Sequence, residues 1–187
     1  MRFSILLNII AVMIIFEYFT NTKPIYNTFM DYTVEEVELD ENLKKLLRQK
    51  LYHLSFIPEN FNTATTASEF IFTESLIELN KYFKAGNIKI EPLGGEPELF
   101  RSRKNADIYL PSILLATSTL LENPNILSVI LNILSSFIYD NVKGKIGKKT
   151  AKIELYIEKE ENGKFLKIEY NGDAEGIKEL EKIIKSL

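Results

Sequence analysis

The residue types that most often carry catalysis are scarce in this chain. It has no Cys, and His53 is its only His. Disulfides, thiolate metal sites and Cys nucleophiles are therefore excluded, and a His-based metal site or catalytic triad would depend on one side chain. We expect His53 near the C-terminal end of a helix, where the helix dipole favours a surface or capping imidazole. The sequence thus predicts no catalytic residue, no cofactor and no metal site.

The densest group of carboxylates lies ahead of a predicted helix. It consists of Glu35, Glu36, Glu38, Asp40 and Glu41. Negative side chains are favoured near a helix N-terminus, and Asp40 is a suitable N-cap for a helix over residues 41–54. A divalent-cation site is the alternative, but the spacing differs from that of an EF-hand loop. We therefore interpret the cluster as structural.

Two groups of basic residues are candidate contacts for an anionic partner. The first contains Arg101, Arg103 and Lys104, and the second contains Lys143, Lys145, Lys148, Lys149 and Lys152. The second group is not a phosphate-binding loop, because Gly147 comes one place too early and the run leads into a predicted strand. We predict a flexible basic tether there, and contact with anionic lipid or nucleic acid is the alternative. The net charge of −3 gives no general reason to expect nucleic acid.

Residues 1–19 form an apolar segment that begins after one positive charge at Arg2. Between Phe3 and Phe16 only Ser4 and Asn8 are polar. The pattern is typical of a signal or signal anchor, but no small-residue cleavage site follows and the run is short for a membrane span. We predict an uncleaved anchor at a membrane surface, with a buried N-terminal element or a cleaved signal as alternatives. The predicted location is accordingly membrane-tethered or cytoplasmic.

An apolar stretch over residues 110–142 organises the predicted fold. We expect one helix that begins at Pro111 and a second that begins at Ile126, after the break at Pro124. The second contains ten large apolar residues, each of which would cost about 1.5–3 kcal/mol if left in water. Its apolar part would be about 21 Å long, against roughly 30 Å for a bilayer core. We predict a core helix packed along a stripe of small polar residues; a lipid-touching hairpin and an interface for another chain are the alternatives.

The residues after this stretch predict a β-hairpin. Residues 151–170 alternate in polarity, and Asn162 with Gly163 is typical of a two-residue type I′ turn. With that turn, apolar residues oppose apolar residues and an acid opposes a base. The resulting pairs are Leu155 with Tyr170, Ile157 with Ile168, and Glu158 with Lys167.

Three further elements complete the prediction. Gly172 and Asp173 cap a last helix, in which Glu181 and Lys185 form a favourable i,i+4 pair. A helix over residues 73–84 ends at Gly86, which we expect in the left-handed conformation. A short strand follows over residues 87–91, with its two Ile side chains directed inward. The apolar stripe of the last helix contains Ile177, Leu180, Ile183, Ile184 and Leu187.

Together these elements predict an α+β fold. A small antiparallel sheet, formed by the hairpin and the strand at 87–91, packs with the last helix on the central apolar helix. The helices at 41–54 and 73–84 cover the other side. Residues 20–187 form one domain, mainly helical over 20–86, and residues 1–19 are an appendage to it.

The second half of the chain has a distinctive order of elements. A short strand, a long apolar helix, a basic linker, a hairpin with Asn162 and Gly163, a Gly-rich turn and a helix follow one another over about residues 87–187. This order resembles the effector-associated constant component modules of bacterial conflict and defence systems. Because that family is regarded as a non-catalytic partner of effector domains, the resemblance implies a protein partner and no catalytic residues.

Three functions remain open on the sequence. We predict a non-enzymatic interaction or adaptor protein, and the resemblance implies that it serves an effector in a defence or stress system; the sequence leaves its oligomeric state open. A membrane-active protein that inserts its apolar segments on a trigger is the alternative. A metal-dependent hydrolase that uses Asp or Glu pairs is the second alternative, although no spaced carboxylate motif supports it.

Overall fold

A seven-stranded mixed sheet lies at the centre of the protein in the computed structural model, which describes residues 30–38, 54–103, 107–143, 149–160 and 164–186. The strands run in the order β1-β9-β8-β7-β2-β4, and β6 pairs beside β7 on β8. A separate two-stranded sheet joins β3 to β5. The strands are β1 (Met30–Glu38), β2 (Leu54–Ile57), β3 (Ile71–Thr73), β4 (Glu91–Pro92), β5 (Leu99–Arg101), β6 (Ile108–Tyr109), β7 (Ser112–Leu115), β8 (Ala151–Glu160) and β9 (Lys164–Gly172).

Helices pack on one face of this sheet, which we call the apolar face. Successive strand residues point to opposite faces, so Ile153, Leu155 and Ile157 lie together and are buried. The edge of the Phe83 ring meets Phe56 of β2 on this face. The predicted α+β class is confirmed. The helices in the described part of the chain are α1 (Leu76–Ala85), α2 (Thr117–Glu122), α3 (Ile126–Val142) and α4 (Ala174–Ile184).

Helix α3 is the predicted core helix, and its apolar side is buried. Its small polar residues contact α4, as Ser135 Oγ donates to the Ala174 carbonyl at 2.8 Å and Ser128 Oγ donates to Glu181 Oε1 at 2.5 Å. These short side chains let the two helices approach closely while every polar group keeps a partner. Asp173 caps α4 as predicted, since its carboxylate accepts from the Gly176 amide at 2.8 Å.

The hairpin forms with the predicted faces but in a different register. Leu155 pairs with Ile168, and Glu154 pairs with Glu169. The predicted pairs Leu155 with Tyr170, Ile157 with Ile168, and Glu158 with Lys167 are therefore wrong by two residues. One position of the shift arises next to the turn, where Glu160 pairs with Lys164. The second position arises from an irregularity between Glu158 and Glu160. A shift of two preserves the alternation of side chains, which explains why the faces are still correct.

The predicted helix that begins at Pro111 is helical only over Thr117–Glu122, and its first part is strand β7. Ser112–Leu115 is buried on both faces and runs parallel to β8 and antiparallel to β2. A short apolar run looks the same whether it is a buried strand or part of a buried helix, so Pro111 was a misleading start signal. The sheet is consequently larger than predicted and mixed rather than antiparallel.

The described residues before α1 lie in a region predicted to be mainly helical, but they include strands β1, β2 and β3. Glu35, Glu36 and Glu38 lie in β1, and Leu54, the last residue of the predicted helix over 41–54, begins β2. Of residues 87–91 only Glu91 belongs to a strand. Gly86 has a φ of −78°, and Asn87, at 55°, takes the left-handed conformation after α1. Asn tolerates that conformation, and a Cβ on Gly86 would lie 2.9 Å from Ile133 of α3.

Several predictions lie outside the described residues. They concern the segment 1–19, the helix over 41–53 with Asp40, Glu41 and His53, the turn at Asn162 and Gly163, and Leu187. In the ranges that the structure describes, no helix has the length and apolar character needed to cross a bilayer.

Candidate binding cleft

A cleft of about 430 Å³ opens on the other face of the sheet, which we call the polar face. Its floor is formed by β1, β9, β8 and β7, and its wall carries Glu59, Arg103 and Tyr109. Among the described helices, α1, α3 and α4 pack on the apolar face and leave this part of the polar face uncovered. Phe61 covers only the neighbouring part, where its ring meets the Tyr156 ring edge to face at 5.5 Å.

The floor of the cleft holds two carboxylates in a position that sheets normally avoid. Thr33 lies opposite Glu169, and Glu169 lies opposite Glu154 on the next strand. Ser112 Oγ extends the row onto β7 by donating to Glu154 Oε2 at 3.3 Å. Like charges directly opposite each other destabilise a sheet. This pair is therefore a local cost that the surrounding residues must offset.

Lys167 compensates most of the repulsion between Glu154 and Glu169. Its ammonium group contacts Glu169, lies 3.5 Å from Glu35 Oε1 and 3.8 Å from Glu154 Oε1, and its side chain is only 18% exposed. Burial lowers the pKa of Lys167, but the hydrogen bond to Glu169 and the charges of the three carboxylates together raise it above its ordinary value. One cation thus serves three anions, and the floor keeps an excess of negative charge.

Tyr156 contributes a neutral donor to the same floor. Its hydroxyl donates to Glu154 Oε2 at 3.1 Å. Burial, together with the negative charge of Glu154, raises the pKa of Tyr156 well above its ordinary value near 10. The hydroxyl therefore stays protonated and keeps Glu154 in place throughout the physiological pH range.

The wall of the cleft is built around Glu59. Arg101 Nη1 and Arg103 Nη2 each donate to Glu59 Oε2 at 2.9 Å, and the Glu59 side chain is only 13% exposed. The hydrogen bond from Arg103 to Glu59 raises the pKa of the Arg103 guanidinium above its ordinary value. The second oxygen, Oε1, is buried and has no donor among the described residues. Glu59 therefore has one oxygen that accepts from both arginines and one buried oxygen without a donor in the described ranges.

The Tyr109 ring contacts two cations at the mouth of the cleft. The Arg103 guanidinium lies 4.4 Å from the centroid of the Tyr109 ring, and the Lys152 ammonium lies 5.4 Å from it. Both distances suit cation–π contacts. Ser75 Oγ fixes the strand that carries Tyr109 by donating to its carbonyl at 2.5 Å.

The balance of charge and hydrogen bonding indicates what the cleft can accept. Among the lining residues, Asp31, Glu59, Glu154 and Glu169 are negative, and Arg103 and Lys152 are positive. Glu59 Oε1 and Asn171 Oδ1 are both buried acceptors without a donor in the described ranges. A buried acceptor left without a donor costs about 1–3 kcal/mol. The cleft therefore suits a group that carries hydrogen-bond donors and positive charge.

The eight basic residues predicted to contact an anion are found in different places. Arg101, Arg103 and Lys152 come together at the wall and mouth of the cleft, and Lys152 lies 3.6 Å from Asp107. Lys143 lies beside the Tyr139 ring at the end of α3, and Lys149 precedes β8. Lys104, Lys145 and Lys148 are outside the described residues. Arg101 and Arg103 share the single carboxylate of Glu59, which balances one of their two positive charges and competes with an external anion for both.

Sequence reasoning missed the acidic residues of the cleft. Glu154 and Glu169 could be placed on the polar face from the alternation of the hairpin, but their direct opposition depends on the register. Glu59 stands in a loop between β2 and β3, more than 40 residues before Arg101 and Arg103. No local pattern links those positions, so only the folded chain reveals the cluster.

Neither a metal centre nor a known relative helps to define the site. In the part of the chain that the structure describes, no group of three or more His, Asp or Glu residues is arranged to hold a metal ion. No family model, curated protein or solved structure matches this chain. The resemblance to effector-associated constant component modules accordingly stays a prediction.

Proposed function

We propose that this protein is a non-enzymatic interaction module whose cleft binds a cationic side chain of a protein partner. The observation that carries the proposal is the direct opposition of Glu154 and Glu169 in the floor of the cleft. Residues that weaken a fold locally are expected at functional sites, because selection for binding maintains them against their cost. An arginine or lysine brought between these carboxylates would relieve the repulsion.

The buried acceptors without a donor, Glu59 Oε1 and Asn171 Oδ1, favour the binding of a cation over the binding of an anion. Glu59 Oε1 is buried, so an incoming guanidinium or ammonium group would donate to it once the covering side chains move aside, and both arginine contacts at Oε2 could remain. An anion would instead have to compete with Glu59 for Arg103 and would add to the negative charge of the floor. Recognition of a charged group by fixed carboxylates is a common basis of specificity in protein interfaces.

A titration with short peptides tests the proposal. The full chain is titrated with a capped six-residue peptide that contains one Arg and with the same peptide in which uncharged citrulline replaces it, and binding is followed by NMR. One side chain binds weakly, so concentrations up to about 10 mM are needed. We expect the Arg peptide to bind and to shift the amide signals of β8 and β9, and the citrulline peptide to bind about tenfold less tightly or worse.

Matched variants separate the cleft from general electrostatics. Replacing Glu154→Gln and Glu169→Gln together should abolish the preference for Arg, whereas replacing Glu175→Gln and Glu179→Gln on α4 removes the same charge and should preserve it. Equal binding by both double variants, or no binding of the Arg peptide by the natural protein, would show that the cleft is not the recognition site.

The same carboxylate pair favours a second candidate, a hydrolase. Two carboxylates that face each other are the catalytic arrangement of many glycoside hydrolases. Here Glu154 is held by Ser112, Tyr156 and Lys167, and Glu169 by Lys167, so both groups are already engaged as acceptors. Turnover of a panel of nitrophenyl glycosides that is lost on Glu154→Gln would establish the hydrolase and refute the binding module.

A further inference from the structure

Strand β1 forms one edge of the seven-stranded sheet and borders the cleft. Its nine residues pair in continuous register with β9, from Met30 opposite Gly172 to Glu38 opposite Lys164. Across the described ranges no strand pairs with its outer side. Asp31, Tyr32 and Thr33 of this strand also line the cleft. The edge and the cleft are therefore one continuous surface.

Among the devices that normally prevent strand addition, β1 itself shows only charge. Natural edge strands are protected by short length, bulges, Pro or charged side chains, especially Lys, or are covered by other elements. Strand β1 is long and regular, and it contains neither Pro nor a basic residue. Its charged residues are all acidic: Asp31, Glu35, Glu36 and Glu38. Two of them form ion pairs, Glu36 with Lys159 at 2.5 Å and Glu35 with Lys167 at 3.5 Å, and Glu38 lies opposite Lys164 on β9.

We infer that β1 receives an extended basic segment of a protein partner as an additional strand, and that one of its cationic side chains enters the cleft. The inference deepens the proposed function and rests on it. Addition of a strand to a sheet edge uses main-chain hydrogen bonds for affinity and alternate side chains for specificity. The alternate side chains on the polar face would be the basic ones.

The geometry of the row across the floor supports this placement. An added strand would continue the row of Ser112, Glu154, Glu169 and Thr33 by one position. Its side chain there would lie about 10 Å from Glu169, two strand spacings away. Only the short side chain of Thr33 lies between, so an Arg or Lys can extend over it toward Glu169. The neighbouring positions two residues away would face Asp31 and Glu35.

The charge of β1 also selects against a second copy of this chain. An antiparallel pair of β1 strands would bring Asp31 and the three Glu residues of each copy together along one shared edge, with Glu35 of one copy diagonal to Asp31 of the other. Like charges that close are unfavourable. A basic strand faces no such repulsion. The acidic residues therefore act as protection against self-association while they leave the edge open to a complementary partner.

Backbone-methylated peptides test the inference. The probe is a nine-residue peptide that alternates Arg with Thr, titrated by calorimetry into the full chain. A strand bonds to its neighbour through alternate amides, so N-methylation of one alternate set should block addition and methylation of the other set should not. We expect the unmethylated peptide to bind about tenfold or more tightly than the single-Arg peptide. One methylated peptide should keep this higher affinity, and the other should bind no more tightly than the single-Arg peptide.

Two outcomes would overturn the inference. If both methylated peptides bind equally, the peptide does not add a strand, and the single-Arg titration still decides the proposed function independently. If the free protein sediments as a dimer that dissociates in a Thr33→Pro or Val34→Pro variant, a second copy occupies the edge. A matched pair of variants adds a further check: Glu35→Gln with Glu38→Gln should weaken the nine-residue peptide, and Glu175→Gln with Glu179→Gln should not.

Discussion

The two faces of the hairpin are built from the same strands, but one carries favourable cross-strand pairs and the other carries an unfavourable one. On the apolar face Leu155 and Ile168 oppose each other beneath the helices and are buried. On the polar face the adjacent pair, Glu154 with Glu169, sets two negative charges against each other at the floor of a cleft. The first pair stabilises the sheet, and the second lowers its stability.

This contrast separates the residues that maintain the fold from those that are available for recognition. Because side chains alternate along a strand, neighbouring residues can serve the two purposes without interfering. Substitutions on the apolar face should therefore cost stability, and substitutions of the opposed carboxylates should cost binding alone. Four measurements test the contrast, beginning with the largest expected effect.

The apolar face should show the greatest loss of stability. Leu134 of α3 is completely buried, so Leu134→Ala removes apolar contacts and leaves a cavity. We expect a loss of about 2–5 kcal/mol in the free energy of unfolding, measured with urea. Leu121→Ala on α2 is the matched control because Leu121 is 75% exposed, and it should change stability by less than about 0.5 kcal/mol. Equal losses in the two variants would contradict the proposed position of the core.

Removal of the cation on the polar face should have the next largest effect. Lys167→Met leaves Glu154, Glu169 and Glu35 without their shared partner. We expect a loss of about 1.5–3 kcal/mol in urea unfolding, because charged hydrogen bonds are lost in a mostly buried position. Lys178→Met on the exposed side of α4 removes the same charge and should cost at most about 0.5 kcal/mol. A Lys167→Met variant as stable as this control would show that the carboxylates do not depend on Lys167.

Tyr156 gives a smaller effect that depends on pH. The pKa of Tyr156 is raised above its ordinary value in the folded state, so its contribution is complete below about pH 10 and is lost as the pH rises, because the unfolded state ionises first. Tyr156→Phe should cost about 0.5–1.5 kcal/mol at pH 7 through the lost hydrogen bond to Glu154. The difference between the variant and the natural protein should narrow above pH 10 in urea titrations. A constant difference up to pH 11 would refute this role.

The smallest expected change has the opposite sign. Glu154→Gln keeps an oxygen that accepts from Ser112 and Tyr156, and it removes one of the two opposed charges. We expect stability to stay the same or to rise by up to about 0.5 kcal/mol, measured by thermal and urea unfolding. A loss greater than about 1 kcal/mol would mean that the charge of Glu154 stabilises the fold, and the contrast between the two faces would fail.

The sequence was informative where structure depends on neighbours along the chain. Helices α3 and α4 were predicted from their apolar periodicity, the Asp173 cap from residue type, and the faces of the hairpin from alternation. Each of these signals extends over a few residues. The strand Ser112–Leu115 was misread because it lies in the centre of the sheet, where burial on both sides removes the alternation that identifies a strand.

The cleft could not be predicted for a different reason. The wall joins Glu59 to Arg101 and Arg103, which lie far apart in the sequence. The floor depends on the register of the hairpin, and the register predicted from favourable residue pairs differs from the observed one by two positions. The predicted register paired an acid with a base and so looked more favourable than the observed one. A rule that maximises local stability fails where a sheet carries an unfavourable pair.

The irregularity near the tip of the hairpin has a consequence for how such a surface could change over generations. If the tip were two residues different in length, β9 would slide by one side-chain pair, and each face would keep its polarity. Glu154 would then meet Asn171, and Lys167 would meet Glu158, so the two acids of the floor would no longer oppose each other. A small insertion or deletion at the hairpin tip would therefore change which ligand the cleft prefers without changing any amino acid that lines the cleft.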